Sequence, residues 1–193
     1  MALEPLSTTP SQLAQPGQGI RLEDVYLDHF TMVWRGLRRL GVPEASIDDA
    51  VQDVFLVVHR RLADFEGRSS LKTWLYGIVL RVAKDYRRAR IRQAQRIERL
   101  AQLLSVEPAS ARTPVEDAER REASQALHAI LAQLREDFRE VLVLTEMEGL
   151  SVRDTAEVLG LGVRACQRRL RAARAAFEEQ LARYLEPDGR HGR

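Results

Sequence analysis

Wherever this chain shows a regular pattern, its apolar residues fall at helical spacing, and that confines it to an all-α fold. Tyr26, Phe30, Val33, Trp34, Leu37 and Leu40 trace one face of a first helix, which Gly41 and Pro43 end. Ile47, Val51, Val54, Phe55, Val58 and Leu62 give a second, from about Ile47 to Ala63, with Asp48, Asp49, Gln52 and Asp53 on its opposite face. A polar loop, Asp64 to Ser70, has Gly67 at its centre and Ser70 placed to cap the next helix. That third helix buries Leu71, Trp74, Leu75, Ile78, Val79 and Val82. It then continues as a very basic stretch through Tyr86, Arg87, Arg88, Arg90 and Arg92 as far as Leu104. No segment alternates with the period of a strand, and no internal repeat is present.

Periodicity stops at Ser105 to Thr113, where Pro108 and Ser110 lie among alanines with Pro114 behind them. Such a break reads as an interdomain linker. Helices resume from about Val115 to Leu134 and from Asp137 to Glu148, closed by Gly149. Ser151 to Asp154 has the form of a capping box and opens a short helix, Val152 to Leu159. Gly160-Leu161-Gly162 makes a tight turn into a last helix, Val163 to Leu185. The expected organisation is a disordered tail over 1–20, a helical bundle over 21–104, a flexible linker over 105–114, a four-helix domain over 115–185 and a frayed tail over 186–193.

The net charge is only +2, but its distribution is uneven. Basic residues gather in Arg81 to Arg99 and in Arg164 to Arg174, two stretches far apart in sequence, which suggests two contacts with a polyanion. The alternative is that both are solvated helix faces. The single cysteine, Cys166, excludes an internal disulfide and sits in an apolar rhythm with Val163 and Leu170. No apolar run suits a bilayer and no signal-peptide pattern opens the chain, so a cytoplasmic location without membrane insertion is expected. His29, His59, His128 and His191 lack metal-ligand spacing, and no glycine-rich phosphate loop follows a strand. The chain is therefore expected to have no catalytic residues, no metal, no cofactor and no small-molecule substrate.

Ser151 to Ala176 reads as a helix-turn-helix. Glycine in the turn permits positive φ and a steep crossing, and Ala156 is small where the second helix must approach. Val152, Leu159, Leu161, Cys166 and Leu170 can share a core, leaving Arg164, Gln167, Arg168, Arg171 and Arg174 outward. An arginine fork matches the paired acceptors of guanine in the major groove, and glutamine matches adenine. The bland reading is a helical hairpin with an exposed basic face.

Taken together, Asp48 to Phe55, Phe65 to Leu75, Arg81 to Arg88, Leu134 to Gly149 and the helix-turn-helix resemble, in order and spacing, a bacterial RNA polymerase sigma factor of the extracytoplasmic-function (ECF) group. The resemblance covers nearly all of Leu22 to Leu185 and implies sigma region 2 in the first half and region 4 in the second. It implies that Asp48, Asp49, Gln52 and Asp53 dock on core RNA polymerase. It further implies that the loop carrying Phe65, Arg68, Ser69, Ser70 and Lys72 captures a flipped base of the minus-ten element, while Arg81, Lys84, Asp85, Arg87 and Arg88 line the path of the exposed strand. The recognition helix, through Arg164, Gln167, Arg168, Arg171 and Arg174, would read the minus-thirty-five element of promoter DNA. Members of the group are commonly held inactive by an anti-sigma factor, which can hold them at the membrane. Of the two aromatics beside the basic path, Trp74 is expected in the core and Tyr76 is the better exposed candidate. Two positions depart from the family pattern: Arg81 stands where asparagine is usual, and Arg164-Ala165 replaces a glycine-threonine pair. Both leave base preference open.

A stand-alone helix-turn-helix regulator is the main alternative, and a protein-interaction bundle the next. A linker of about ten residues reaches at most ~35 Å, so the centres of two small domains could stand ~60 Å apart. That approaches the ~70 Å of two duplex turns.

Overall fold

The computed structural model describes residues 20–104 and 118–185, with side chains over 20–100 and 125–185. The expected N-terminal tail apart from Ile20, the expected linker, the start of the second half at Val115 and the expected C-terminal tail lie outside the described residues. The described residues form α1 (Leu22–Arg39), α2 (Ile47–Arg61), α3 (Leu71–Leu104), α4 (Ala118–Gln133), α5 (Glu136–Leu142), α6 (Val152–Leu159) and α7 (Val163–Leu185), with no strand among them.

Helices α1, α2 and α3 pack on one another as a bundle. Helix α1 carries Glu23 and Asp24 in its first turn and Arg38 and Arg39 in its last, the arrangement the helix dipole favours. Its apolar stripe is wider than its burial. Val25, Val33 and Leu37 enter the core, whereas Tyr26 and Phe30 remain 44% and 36% exposed. The apolar face that the spacing traces is therefore buried only in part. The ring of Tyr26 packs against Phe30 at 5.3 Å and Phe55 at 4.7 Å on the outside of the bundle.

Helix α3 begins at Ser70, whose Oγ accepts the Thr73 N–H at 3.0 Å, as the polar loop predicts. Its first half is core: Leu75, Tyr76, Val79, Leu80 and Ala83 are buried. From Arg88 to Leu100 every residue is exposed, so the basic second half runs clear of the bundle. Tyr76 is fully buried, contrary to the expectation of an exposed aromatic. The cause is Gly36 of α1: a Cβ there would sit 3.1 Å from the Tyr76 ring, so glycine makes the room for it.

In the second half α7 packs against α4, α5 and α6. The helix expected from Asp137 to Glu148 instead changes character midway. After α5 comes a π turn, Val143–Met147, in which the Glu148 N–H reaches the Val143 carbonyl at 3.0 Å. The Thr145 hydroxyl bonds back to the Val141 carbonyl, a contact that disturbs a regular helix. The wider turn changes the phase of the residues that follow. Glu146 ends on the surface and Glu148 is buried.

Helix α6 is opened by Ser151, whose Oγ accepts the Asp154 N–H at 3.0 Å and donates to the Asp154 carboxylate at 2.5 Å. The expected capping box is thus present as a cap in which the acid braces the serine hydroxyl. The two halves also touch: α6 packs against α3 and α4 approaches α1, and buried apolar residues of both halves belong to one cluster. Leu37→Ala, at a site with no exposure, should lower the unfolding free energy by about 2–5 kcal/mol in chemical denaturation. Ser151→Ala should lower it by about 1 kcal/mol in the same measurement.

Candidate nucleic-acid interface

Gly160 closes α6 in the left-handed region at φ +64, and the Leu161 N–H returns to the Ala156 carbonyl at 2.8 Å. The chain then turns at Gly162, whose carbonyl takes the Cys166 N–H at 3.0 Å in the first turn of α7. Between the helices Ala156, Cys166, Leu170 and Ala173 are buried, with Val152, Leu159 and Leu161 packed beside them. Burial pushes the Cys166 thiol up, as suits an inert core group. Arg164, Gln167, Arg168, Arg171 and Arg174 are all exposed along α7. Arg174 is held by Glu146, which accepts from its Nη2 at 2.5 Å. Arg169 lies on a different side and stands 3.7 Å from Asp137, pinning α7 to α5.

Asp48, Asp49, Gln52 and Asp53 form an exposed face on α2. Asp53 accepts the Tyr86 hydroxyl at 2.8 Å, which links this face to α3. Burial, and then the bond and charge of Asp53, push the Tyr86 phenol up to about 12. Beside the acids lies a groove of about 500 Å³ walled by Tyr26, Phe30, Phe55 and Leu56. Sequence periodicity placed Tyr26 and Phe30 on the apolar face of one helix and Phe55 on that of the next, and the packing of the two helices brings them to one groove.

The loop and α3 residues divide into two groups. Phe65 packs on Trp74 with ring centres 5.3 Å apart, and both are half-buried. Arg68 is exposed and paired with Glu66 at 2.5 Å, Ser69 is half-exposed, and Ser70 serves as the cap. Arg81, Asp85 and Arg88 are exposed. Lys72, Lys84 and Arg87 are engaged instead with the second half. Lys72 Nζ donates to the Glu148 carbonyl, and Lys84 Nζ lies 3.1 Å from Glu140. Arg87 is buried, donating to the Leu40 carbonyl at 2.5 Å, to Glu136 at 2.5 Å and to Glu140 at 2.8 Å. These three do not line an open path in this arrangement, because carboxylates pair with Lys84 and Arg87 and a backbone carbonyl engages Lys72.

A second feature escaped the sequence. Trp74 and Arg81 share a groove of about 500 Å³ with Arg60 and Arg61 from the end of α2 and with the bare backbone of Gly77. Three guanidinium-bearing side chains around an indole give the combination that single-strand sites use. Arg60 and Arg61 lie in the basic last turn of α2, where charge alone does not mark them out. Only the crossing of α2 and α3 brings them to Trp74. Among the described residues no group of His, Cys, Asp or Glu is arranged to hold a metal, and no helix is long and apolar enough to cross a membrane.

The family model for Sigma-70 region 2 matches residues 25–93, and that for Sigma-70, region 4 matches 124–177. The RNA polymerase sigma factor CnrH of Cupriavidus metallidurans is 34% identical over 161 residues, spanning 79% of this chain and 82% of that protein. The ECF RNA polymerase sigma-E factor of Escherichia coli K12 is 30% identical over 145 residues, spanning 72% and 76%. The solved structure of CnrH in complex with the cytosolic domain of CnrY superposes with a TM-score of 0.63 at 28% identity, covering 84% of this chain and 88% of that one. With both family regions present in order and the all-α architecture shared, the chain belongs to the sigma-70 family of RNA polymerase sigma factors, in its ECF group, and directs the polymerase to promoters.

Proposed function

We propose a division of labour among its surfaces, with region 2 spanning 21–104, region 4 spanning 115–185 and a linker at 105–114. Region 2 docks on core polymerase through Asp48, Asp49, Gln52 and Asp53. It holds the melted minus-ten strand through Phe65, Arg68, Ser69, Ser70, Lys72, Arg81, Lys84, Arg87 and Arg88, joined by Arg60 and Arg61. Unstacking a base costs a few kcal/mol. Hydrogen bonds from the loop and phosphate neutralisation offset that cost. Region 4 reads the minus-thirty-five duplex through Arg164, Gln167, Arg168, Arg171 and Arg174. The observation that carries this reading is the exposed row of these five side chains on the second helix of a helix-turn-helix, the helix that such domains set into the major groove.

The acidic face lies on α2 and the arginine row on α7, so polymerase and duplex DNA need not compete for one surface. Two weak DNA contacts on one chain gain affinity through effective concentration. The protein itself is not an enzyme in this reading, and bond formation belongs to the polymerase. An anti-sigma factor is the expected regulatory partner. The similar CnrH, solved in complex with the cytosolic domain of CnrY, supports that expectation.

Arg168→Ala and Arg171→Ala should each weaken holoenzyme binding to duplex promoter DNA by roughly 1–3 kcal/mol in gel-shift titration, with binding to core polymerase unchanged. Equal loss of both activities would contradict the assignment. Asp49→Arg should sharply reduce co-purification with core polymerase while the circular dichroism spectrum stays that of the native protein. Undiminished co-purification would remove α2 from the polymerase interface.

A further inference from the structure

Helix α3 extends well past the bundle it helps to build. Beyond Arg87 it runs on to Leu104, exposed at every residue from Arg88 to Leu100. At about 100° of turn per residue, Arg88, Arg92, Arg96 and Arg99 fall within a strip about 80° wide. Arg81, two turns earlier, lies on the same strip, with Asp85 the acid between them. Arg90, Ile91 and Ala94 are on a different side, where they line a groove with Gln125 and Leu131 of α4. Arg87 points that way too, toward Glu136 and Glu140. The strip therefore faces away from the second half and stays open while the two halves are packed together. Among the described residues no carboxylate pairs with Arg88, Arg92, Arg96 or Arg99. Glu98, the one acid between Tyr86 and Leu104, falls on the side of Ile91.

We propose that this strip holds the phosphate backbone of the duplex spacer, the promoter DNA between the minus-ten and minus-thirty-five elements, beginning where Arg88 leaves the minus-ten strand. The inference rests on the placement of region 2 on the first element and region 4 on the second. Like charges at i and i+4 repel one another and weaken a helix, and these exposed side chains bring no burial to offset it. A row of phosphates turns that repulsion into attraction.

The dimensions agree. From Arg88 to Arg99 the strip is ~16 Å long at 1.5 Å per residue. One strand of duplex presents a phosphate every ~3.4 Å along its axis, so four arginines face about five phosphates. Arg88 and Arg99 lie ~27 Å and ~44 Å along the helix from Ser70, the cap beside the minus-ten loop. At ~3.4 Å per step that is roughly eight to thirteen base pairs of duplex, beyond the reach of the loop. Past Leu104 the chain goes on to region 4, which puts this end of α3 on the side of the minus-thirty-five element. A lipid surface fits less well. The exposed apolar residues Ile91, Ile97 and Leu100 are spread round half of the helix with Arg90 among them, and form no single face to enter a bilayer. Phosphate contacts carry no sequence information directly, so the strip adds affinity and register without restricting the spacer sequence.

The test uses the full chain in holoenzyme with core polymerase. The DNA is a promoter fragment that the wild-type holoenzyme recovers from genomic DNA. Arg92→Gln, Arg96→Gln and Arg99→Gln are combined in one chain. Glutamine has nearly the helix propensity of arginine, and a native circular dichroism spectrum confirms the fold. The triple variant should bind the fragment at least about tenfold more weakly at ~0.1 M salt. The slope of log K against log salt should become shallower by about 0.9 for each arginine removed, as counterion release from B-form DNA requires. Uncharged methylphosphonate linkages in the spacer should weaken wild-type binding to the same extent and weaken the variant no further. Affinity for core polymerase, and for the single-stranded minus-ten segment alone, should not change.

An unchanged salt slope overturns the proposal. A loss indifferent to the methylphosphonate spacer overturns it too, since the strip would then serve some other surface, and so does weaker binding to core polymerase. Arg81→Gln and Arg168→Ala separate the spacer contact from the placement of the two regions. Arg81→Gln should weaken binding to the single-stranded minus-ten segment, and Arg168→Ala binding to the whole fragment. If both do so while the triple variant binds as before, the spacer contact alone fails. If either leaves its target unaffected, the placement fails and the spacer contact falls with it.

Discussion

Arg87 is the point at which the packing and the charge of this protein meet. Its guanidinium is buried against the end of α1, where it donates to the Leu40 carbonyl, and it reaches across to Glu136 and Glu140 of α5. A cation without such partners could not remain buried, because leaving it unpaired would cost several kcal/mol. Its position therefore depends on α1, α3 and α5 all being in place. The same helix that supplies the central apolar surface of the first half also carries this cation one turn past Ala83, the last of its buried apolar residues. Core and charged rail are consecutive segments of α3, so the geometry of one sets the geometry of the other.

Much of the fold was legible because it depends on local rules. The positions of α1, α2, α3, α6 and α7 follow from apolar spacing, from Ser70 and Ser151 as caps, and from Gly160 in the turn. The outward row of α7 follows from the same periodicity. The errors share a different cause. Tyr26 and Phe30 lie on an apolar stripe that α2 and α3 only partly cover, and a stripe does not state how wide its partner is. Tyr76 is drawn inward by a space that Gly36 opens on another helix. The π turn carries no glycine or proline to announce it; it is settled by where Glu148 finds its partners.

The candidate site divides along the same line. Sequence identifies which side chains carry charge, and here it named Lys72, Lys84 and Arg87. It does not identify what neutralises them. Glu140 and Glu148 lie 53 and 72 positions from Arg87 and Tyr76 respectively, a separation that no local pattern spans. Arg60 and Arg61 were missed for the converse reason. They are unremarkable on α2 and gain meaning only beside Trp74 and Arg81 on α3.

The π turn has a consequence for how this sequence can tolerate change in length. An α-helix that gains or loses a residue turns everything beyond it by about 100°, and Val143 to Met147 is a stretch where the wider turn has already absorbed such a change. Shortening it by one residue would close the wider turn into an ordinary one and keep the acid facing Tyr76, whereas a residue lost from α5 ahead of it would swing that acid away from α3. Among relatives, an indel in α5 ahead of these five positions would thus act as a rotary adjustment of the joint between the two modules, and one within them would be tolerated without it.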